Sequence, residues 1–255
     1  WAWRNIYGFE WAFEEGVCWI RTRNNALWAP VGPWGAIEWK KVLPRLFPEG
    51  RVFFYVPDGL GRLWRELFRG GVTVGEDRSQ WEYLHSVQEL VELKGNRFSR
   101  KRSHFVQFVR RYPFRYRSLE GDALVSVLEG QELWMKEQSV SPDLEREDAA
   151  IRELVAQRGH IPGLLAGILD VNGAPAAYTV AEALDDDTIV IHFEKALRRY
   201  SGAYQAINRM FLENVADSFT MVNREEDMGD EGMRVAKMSY HPVDFLRKCT
   251  LSWFP

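Results

Sequence analysis

Residues 223–242 read Asn-Arg-Glu-Glu-Asp-Met-Gly-Asp-Glu-Gly-Met-Arg-Val-Ala-Lys-Met-Ser-Tyr-His-Pro, in which an acidic turn leads directly into a short basic helix. The apolar residues just before this stretch predict a buried strand over 219–223. Asp230 stands where an N-cap is expected, so the sequence predicts a helix over 231–239 that stops before the proline. The segment therefore predicts a strand, a loop and a helix in immediate succession.

Arg234 and Lys237 lie three residues apart, which places both cations on one face of this helix. The other face can be formed by Met233, Ala236 and Tyr240. Two cations beside a strand end can hold a donor phosphate or polarise a transferred carbonyl group, although a solvated basic face has the same pattern. Asn223 at the strand end is a candidate substrate contact, and Tyr240 can supply or relay a proton.

The sequence from Gly232 to Pro242 resembles the C-terminal signature of lysylphosphatidylglycerol synthases, in which a glycine and a leucine are followed by Phe-Lys-x-Lys-Phe-x-Pro. It is also similar to the Phe-Lys-x-x-Phe element of Fem peptidyltransferases. Together with Asn-Arg-Glu-Glu-Asp-x-Gly and a second anchor at residues 93–105, Leu-Lys-Gly-Asn-Arg-Phe-Ser-Arg-Lys-Arg-Ser-His-Phe, the chain resembles a bacterial family described as phosphatidylglycerol lysyltransferase C-terminal-like. It differs from the synthases in having Ala236 for the aromatic residue and Ser239 for the second lysine.

This resemblance covers most of the chain and implies an α/β (α+β) fold of two tandem GNAT-like domains, each with a mixed, mostly antiparallel sheet flanked by helices. We place the N-terminal domain at residues 1–115, with its start expected to be missing, and the C-terminal domain at residues 116–255. The resemblance implies transfer of an activated acyl or aminoacyl group to an amine or hydroxyl acceptor, such as a small molecule or a lipid head group. Aminoacyl-tRNA is the favoured co-substrate, acyl-coenzyme A is the alternative, and no tightly bound cofactor is expected.

Composition is compatible with this fold. At 255 residues, of which 46% are hydrophobic, the chain is long enough for one large domain or two of ordinary size. No apolar stretch approaches the roughly 20 residues needed to span a bilayer, so a cytoplasmic location is expected. Cys18 and Cys249 lie far apart in the sequence, and neither a disulfide framework nor a metal site is predicted.

The pattern of apolar residues predicts alternating strands and helices, which indicates an α/β organisation. In the first half the predicted strands are 17–23, 25–30, 52–56 and 73–77, and the predicted helices are 35–46, 59–68, 86–93 and 99–112. In the second half the predicted helices are 122–137, 143–156 and 202–217, and the predicted strands are 163–171, 174–183, 188–196 and 243–252. With the strand and helix of the opening segment, the second half has the element order of a GNAT domain.

The turn Arg198-Arg-Tyr-Ser-Gly-Ala-Tyr204 connects a predicted strand to a predicted helix. In GNAT folds the donor pyrophosphate meets backbone N–H groups at such a turn, and Arg199-x-x-Gly202 resembles the start of the coenzyme A signature. The candidate donor-binding residues are therefore Arg199, Ser201 and Gly202, although an ordinary glycine-punctuated helix start is equally compatible. Tyr204 replaces the small residue of the signature, and Tyr204 and Asn208 can face one cleft as substrate contacts.

Two ionisable residues, His192 and Glu194, stand on the predicted strand 188–196. Period-two alternation places them on one face and Ile191, Phe193 and Lys195 on the other. Ionisable groups on a central strand are unfavourable unless they are paired or face a cleft. Glu194 is therefore a candidate general base or amine-binding residue, or else a structural carboxylate paired with Arg199 or Lys237. His192 is a candidate substrate contact or a core histidine.

Residues 94–117 carry many Lys and Arg residues and no acidic residue, with aromatic residues interleaved. A helix here would bury the aromatic side chains and present Arg102 and Arg110 outward. Asn96, Arg97 and Arg102 are candidate substrate contacts, and phosphate groups of a tRNA acceptor end are the expected ligand. An ordinary solvated helix face would have the same composition.

The sequence leaves two classes of function open. In the first, the chain is an acyl or aminoacyl transferase with Glu194, Lys237 and Tyr240 as its catalytic residues. In the second, it is a non-catalytic module of the same fold that binds an anionic ligand or RNA.

Overall fold

The computed structural model describes residues 2–255. The helices are α1 Arg4–Tyr7, α2 Trp39–Leu46, α3 Asp58–Leu67, α4 Val87–Glu92, α5 Ser99–Arg111, α6 Ser126–Met135, α7 Pro142–Ala156, α8 Ala203–Val215 and α9 Glu231–Met238. The strands are β1 Glu10–Glu14, β2 Val17–Arg21, β3 Leu27–Trp28, β4 Arg51–Pro57, β5 Val72–Glu76, β6 Glu82–Ser86, β7 Phe114–Leu119, β8 Leu164–Val171, β9 Ala174–Ala183, β10 Thr188–Ala196, β11 Met221–Asn223, β12 Asp244–Leu246 and β13 Lys248–Trp253. Within this part of the chain, every helix is too short or too polar to cross a membrane.

The chain forms two compact units. The first unit consists of residues 2–6, Tyr83–Glu225 and Val235–Asp244, and the second of Tyr7–Glu82, Glu226–Arg234 and Phe245–Pro255. The sequence places the boundary between tandem domains near residue 115, which lies within β7 of the first unit. The tandem division stays a prediction.

Across residues 2–255 the strands form a seven-stranded sheet, ordered β12-β6-β11-β10-β9-β8-β7, and a six-stranded sheet, ordered β1-β2-β3-β4-β13-β5. Most neighbours are antiparallel, whereas β10 with β11 and β3 with β4 are parallel. The predicted fold class, with mixed and mostly antiparallel sheets flanked by helices, is confirmed.

In the first unit, helices cover both faces of the sheet. On one face Ile151 and Leu154 of α7 pack in a cluster with Phe193 of β10. On the other, Phe211 and Leu212 of α8 pack in a cluster with Ile191 of the same strand. A strand covered on both faces is apolar at most positions, so a charged residue on β10 requires a partner within the unit.

In the second unit, α2 and α3 pack with the six-stranded sheet around large aromatic residues. The ring centroids of Trp39 and Trp64 are 5.0 Å apart, and those of Phe53 and Trp64 are 4.8 Å apart. These three residues are fully buried with Trp253 of β13. Burial of such large rings supplies much of the apolar area that stabilises this unit.

Three strands, β1, β6 and β7, were not predicted. All five residues of β1 are exposed, so this edge strand has no alternation of buried and exposed positions to reveal it. The single last strand over 243–252 is wrong, because the chain divides at Arg247 into β12 and β13, which belong to different sheets. The carbonyl of Arg247 accepts a hydrogen bond from the backbone N–H of Asp58 instead of continuing a ladder.

Candidate active site

Strands β10 and β11 are parallel neighbours over three residue pairs, the last of which joins Val190 to Asn223. Strand β10 continues to Ala196, whereas β11 ends and Glu225 adopts a left-handed φ of 54°. This conformation is unusual for a residue other than glycine and bends the chain at the end of a strand. The part of β10 beyond Val190 therefore has no residue of β11 beside it.

Glu194 lies on this part of β10, and its side chain is only 7% exposed. One carboxylate oxygen accepts a hydrogen bond from Nη2 of Arg224 at 2.8 Å. The other accepts from Nδ2 of Asn208 at 2.9 Å and from Oγ1 of Thr179 at 3.4 Å. A buried carboxylate of this kind is retained only when a cation and hydrogen bonds compensate its lost hydration. The alternative that paired Glu194 with Arg199 or Lys237 is wrong, because its partner is Arg224.

Tyr240 lies beside the ion pair between Glu194 and Arg224. Its ring centroid is 4.7 Å from Cζ of Arg224, and Nζ of Lys101 on α5 is 3.8 Å from the same centroid. Burial raises the pKa of the Tyr240 hydroxyl to about 12, against the opposing effect of Arg224, so the hydroxyl stays protonated at neutral pH. We call Glu194, Arg224, Asn208, Thr179 and Tyr240 the Glu194 site.

The predicted faces of β10 are wrong because of a β-bulge. The register of β10 against β9 shifts between Ile191 and Phe193, which leaves His192 as the extra residue. Ile191 and Glu194 consequently lie toward α8, and Phe193 lies toward α7. Lys195 also lies toward α7, where its Nζ donates to both oxygens of Glu147.

His192 is held between two carboxylates. Its Nδ1 is 2.9 Å from Glu225 and its Nε2 is 3.2 Å from Glu182. Burial lowers the pKa of His192, but the hydrogen bonds to Glu182 and Glu225 outweigh it and raise the pKa to about 9. At neutral pH the ring is therefore an imidazolium whose two N–H groups are both donated to carboxylates. This arrangement orients Glu225 and leaves no ring nitrogen for the predicted substrate contact.

Because the His192 ring is charged in the folded protein, we expect the protein to lose stability at alkaline pH. Since the folded pKa of about 9 lies above the ordinary value of 6.5, the stabilisation is complete below pH 6.5 and disappears as the pH rises through 9. Between pH 6 and pH 10 the free energy of unfolding should fall by about 3 kcal/mol more in the native protein than in His192→Gln. Urea unfolding of both proteins across this pH range measures the difference. If the free energy of unfolding depended on pH in the same way in both proteins, His192 would not be the imidazolium assigned here.

Residues 223–225 connect the predicted site residues. Oδ1 of Asn223, which is buried, accepts a hydrogen bond from the backbone N–H of Glu225 at 2.8 Å. The carbonyl of Glu225 accepts from Nζ of Lys237 at 3.3 Å, and this ammonium lies 5.8 Å from the ring centroid of Tyr83. Lys237 is half-buried, so its interpretation as part of a solvated basic face is wrong. One short segment thus holds Glu194 through Arg224, His192 through Glu225 and Lys237 through a carbonyl.

Arg234, in the second unit, is held by a buried acid. Its Nε and Nη2 each donate to Asp227 at 2.9 Å, and Asp227 is completely buried. The same carboxylate accepts from the backbone N–H of Gly229 at 2.9 Å and lies 3.7 Å from Nη1 of Arg78. Asp230 caps α9, as predicted, by accepting from the backbone N–H of Met233.

Close packing requires a glycine at position 202, in the turn before α8. Gly202 has a φ of +86°, and a Cβ atom there would lie 2.4 Å from the carbonyl oxygen of His104 on α5. Arg199 is half-exposed and lies 3.7 Å from Glu137, while Ser201 and Tyr204 are exposed. Asn208, by contrast, points from α8 into the Glu194 site.

The basic segment is partly neutralised within the first unit. Arg97 bonds to Glu89 at 2.5 Å, and Asn96 beside it is exposed. The prediction that Arg102 points outward is wrong, because it is half-buried and donates to the carbonyls of Leu93 and Gly95. Exposure of Arg110 is confirmed. Within the basic segment 94–117, the exposed arginines that form no ion pair with any of residues 2–255 are Arg100, Arg110, Arg111 and Arg115.

Two surface cavities near Asn25 contain none of the predicted site residues. Both lie in the second unit, one beside Arg51 and Phe254 and the other beside Phe9 and Arg21. Neither has a buried carboxylate with a cationic partner, so the Glu194 site is the stronger candidate. Among the side chains that the structure describes, no group of three or more His, Cys, Asp or Glu residues is placed to hold a metal ion.

Sequence reasoning missed Arg224, Thr179 and Lys101. Arg224 directly follows a predicted strand end and stands in the segment used for the family resemblance, so its position was a usable signal. Lys101 stands in the second anchor at residues 93–105, but its contact with Tyr240 depends on the orientation of α5. Thr179 carried no signal, since its role depends on the pairing of β9 with β10.

Comparisons with known proteins agree with this fold. The family profile for phosphatidylglycerol lysyltransferase, C-terminal, matches residues 1–251. A conserved protein of unknown function from Bacteroides thetaiotaomicron is 26% identical, with a TM-score of 0.85 over 100% of this chain and 88% of that one. L-PGS from Bacillus licheniformis is 11% identical, with a TM-score of 0.67 over 96% and 84% of the two chains. FemX is 7% identical, with a TM-score of 0.64 over 99% and 90%. No curated protein sequence gives a significant match.

Proposed function

Because this chain belongs to the family of phosphatidylglycerol lysyltransferase C-terminal domains, we propose that it transfers an aminoacyl group from an aminoacyl-tRNA to an amine or hydroxyl acceptor. Family membership supports aminoacyl transfer in general, and the donor and the acceptor class are our proposal. The observation that carries it is the buried Glu194 carboxylate, held by Arg224 and Asn208 on the part of β10 that extends beyond the end of β11. A catalytic carboxylate needs such fixed orientation to act on a nucleophile.

In the proposed reaction, the acceptor nitrogen or oxygen attacks the carbonyl carbon of the aminoacyl ester. Glu194 binds the nucleophile and takes its proton as the new bond forms. The Lys237 ammonium stabilises the negative charge that develops on the carbonyl oxygen. The ester bond to the tRNA then breaks, and the departing ribose oxygen receives a proton from Tyr240, whose hydroxyl is protonated at neutral pH. Tyr240 is reprotonated from solvent as the proton on Glu194 is released.

Two features favour tRNA over coenzyme A as the donor. The carbonyl of His104 packs so closely on Gly202 that α5 covers the turn that resembles the coenzyme A signature. The outer side of the same helix carries Arg100, Arg110 and Arg111, which are exposed and have no acidic partner within residues 2–255. Unpaired surface arginines are suited to the phosphates of a nucleic acid.

Thermal-shift and direct-binding measurements with acetyl-coenzyme A, coenzyme A, charged tRNA and uncharged tRNA test the donor. Preference for a charged tRNA, followed by transfer of its labelled amino acid, would support the proposal. Stabilisation by coenzyme A alone would overturn it in favour of an acyl-coenzyme A enzyme. Salt-sensitive tRNA binding without any transfer would instead identify a non-catalytic binding module.

Replacement of Lys237 by alanine tests its assigned role. Loss of one electrostatic group at a developing oxyanion typically reduces the rate by about 10²–10³, so transfer by Lys237→Ala should fall by that factor. Lys94→Ala is the matched control, since Lys94 is exposed and pairs only with Glu92 at the surface. Single-turnover transfer and circular dichroism of both variants provide the measurements. Full activity in folded Lys237→Ala would contradict the role.

A further inference from the structure

Lys101 is a half-buried ammonium without an acidic partner. It stands on α5 between Arg100, which is exposed, and Arg102, which is bonded to backbone carbonyls. Among residues 2–255 its Nζ forms neither a hydrogen bond nor an ion pair, and its closest described interaction is with the Tyr240 ring at 3.8 Å. A cation–π contact compensates only part of the hydration that a half-buried ammonium loses.

The surroundings of Lys101 have an excess of positive charge. Arg224 lies over the same tyrosine ring, 4.7 Å from its centroid, and Glu194 is already bonded to Arg224. Burial, together with repulsion from Arg224 and Arg100, lowers the pKa of Lys101 to about 8, although Glu194 opposes these effects. Two cations and one carboxylate therefore meet here, and the cluster of these three groups has one uncompensated positive charge.

An anion placed between Lys101 and Arg224 would remove this repulsion. Nη2 of Arg224 is occupied by Glu194, whereas its buried Nη1 has no hydrogen-bond partner. The free donors are therefore this Nη1 and the Lys101 ammonium, which is a point charge with three rotatable N–H groups. Such an ammonium suits the several oxygens of a phosphate group. The exposed arginines of α5 would also attract a phosphorylated ligand to this side of the first unit.

We propose that Lys101, with Arg224, forms a subsite that binds a phosphate group of the substrate beside Glu194. Its role in catalysis rests on the proposed function, since the bound phosphate would position one of the two reactants against the Glu194 carboxylate. The phosphate belongs either to the nucleotide part of the donor or to the head group of a phosphorylated acceptor. Its binding by Lys101 involves no chemical step.

Calorimetric titration with inorganic phosphate tests the subsite without any turnover. The variants are Lys101→Met, Lys101→Arg and the surface control Lys94→Met, each checked for folding by circular dichroism. Loss of a charge-assisted hydrogen bond should weaken phosphate binding about tenfold or more in Lys101→Met, whereas Lys101→Arg and Lys94→Met should bind within about threefold of the native protein. Equal binding by Lys101→Met and the native protein would overturn the proposal.

Raising the pH to 9.5 provides a second measurement. Lys101 is then largely neutral, so the native protein should lose about tenfold in phosphate affinity, whereas Lys101→Arg should keep its affinity because arginine stays charged. An equal loss in both proteins would count against the subsite.

Titrations with AMP and with glycerol 3-phosphate identify the source of the phosphate. Tighter binding of AMP than of inorganic phosphate assigns the subsite to the donor, and tighter binding of glycerol 3-phosphate assigns it to a head group. A separate transfer assay distinguishes the two proposals. Lys101-dependent phosphate binding without transfer would reject the proposed function alone, and transfer with phosphate binding that is independent of Lys101 would reject the subsite alone.

Discussion

Glu194→Gln is expected to reduce aminoacyl transfer by about three orders of magnitude while the protein stays folded. The amide keeps the shape of the side chain, and its one oxygen can still accept from Arg224, but its N–H₂ group replaces the oxygen that accepts from Asn208, and it cannot take a proton from the nucleophile. Loss of a positioned general base typically reduces the rate by about 10²–10⁴. Single-turnover transfer from a labelled aminoacyl-tRNA measures the chemical step directly.

A structural role for Glu194 is the alternative explanation of the same loss. Asp170→Asn is the matched control, because Asp170 forms a comparable partly buried pair with Arg117, at 2.7 Å between Nε and Oδ2, across β7 and β8. Both variants should lose stability, since each leaves an arginine without its carboxylate. Only Glu194→Gln should lose transfer. If the two variants had comparable transfer activity at equal folded fractions, the role of Glu194 would be structural and not catalytic.

The parts of the fold that the sequence predicted best are those with strong local patterns. Strand β9 and helix α7 match their predicted bounds within a residue, because the Asn172-Gly173 turn and the Ser141 cap are local signals. Strand β1 has no buried position and was missed for that reason. Local patterns therefore sufficed for most elements and failed for β1, whose exposed residues show no alternation.

The site could be predicted only in part because its geometry is tertiary. Glu194, Lys237 and Tyr240 could be singled out from chemistry and resemblance. The bulge at His192 could not, since alternation assumes that both strands keep one register. Likewise, the pairing of Glu194 with Arg224 joins residues 30 positions apart and depends on how β11 ends.

Asp227→Asn is expected to destabilise the second unit by about 3–5 kcal/mol, which is the usual effect of removing one partner of a buried ion pair. Asp227 is completely buried, and its two oxygens accept from Arg234 and from the backbone N–H of Gly229. Asparagine would remove the negative charge that is paired with Arg234 and would place an amide N–H₂ toward a cation. Chemical denaturation of the purified variant measures the change.

The same experiment separates two roles for Arg234, which the sequence placed among donor-binding residues. If its main role is to anchor the start of α9 to Asp227, then Arg234→Met should be destabilised like Asp227→Asn, and the double variant should lose less than the sum. Asp230→Ala is the control for damage to the helix alone, because it removes only the N-cap and should cost about 1 kcal/mol.

A donor-binding role predicts a different result: Arg234→Met would keep its stability and raise the KM for the donor. Additive stability losses for Asp227 and Arg234 would contradict the anchoring role, because two groups that share a buried pair cannot lose its energy twice.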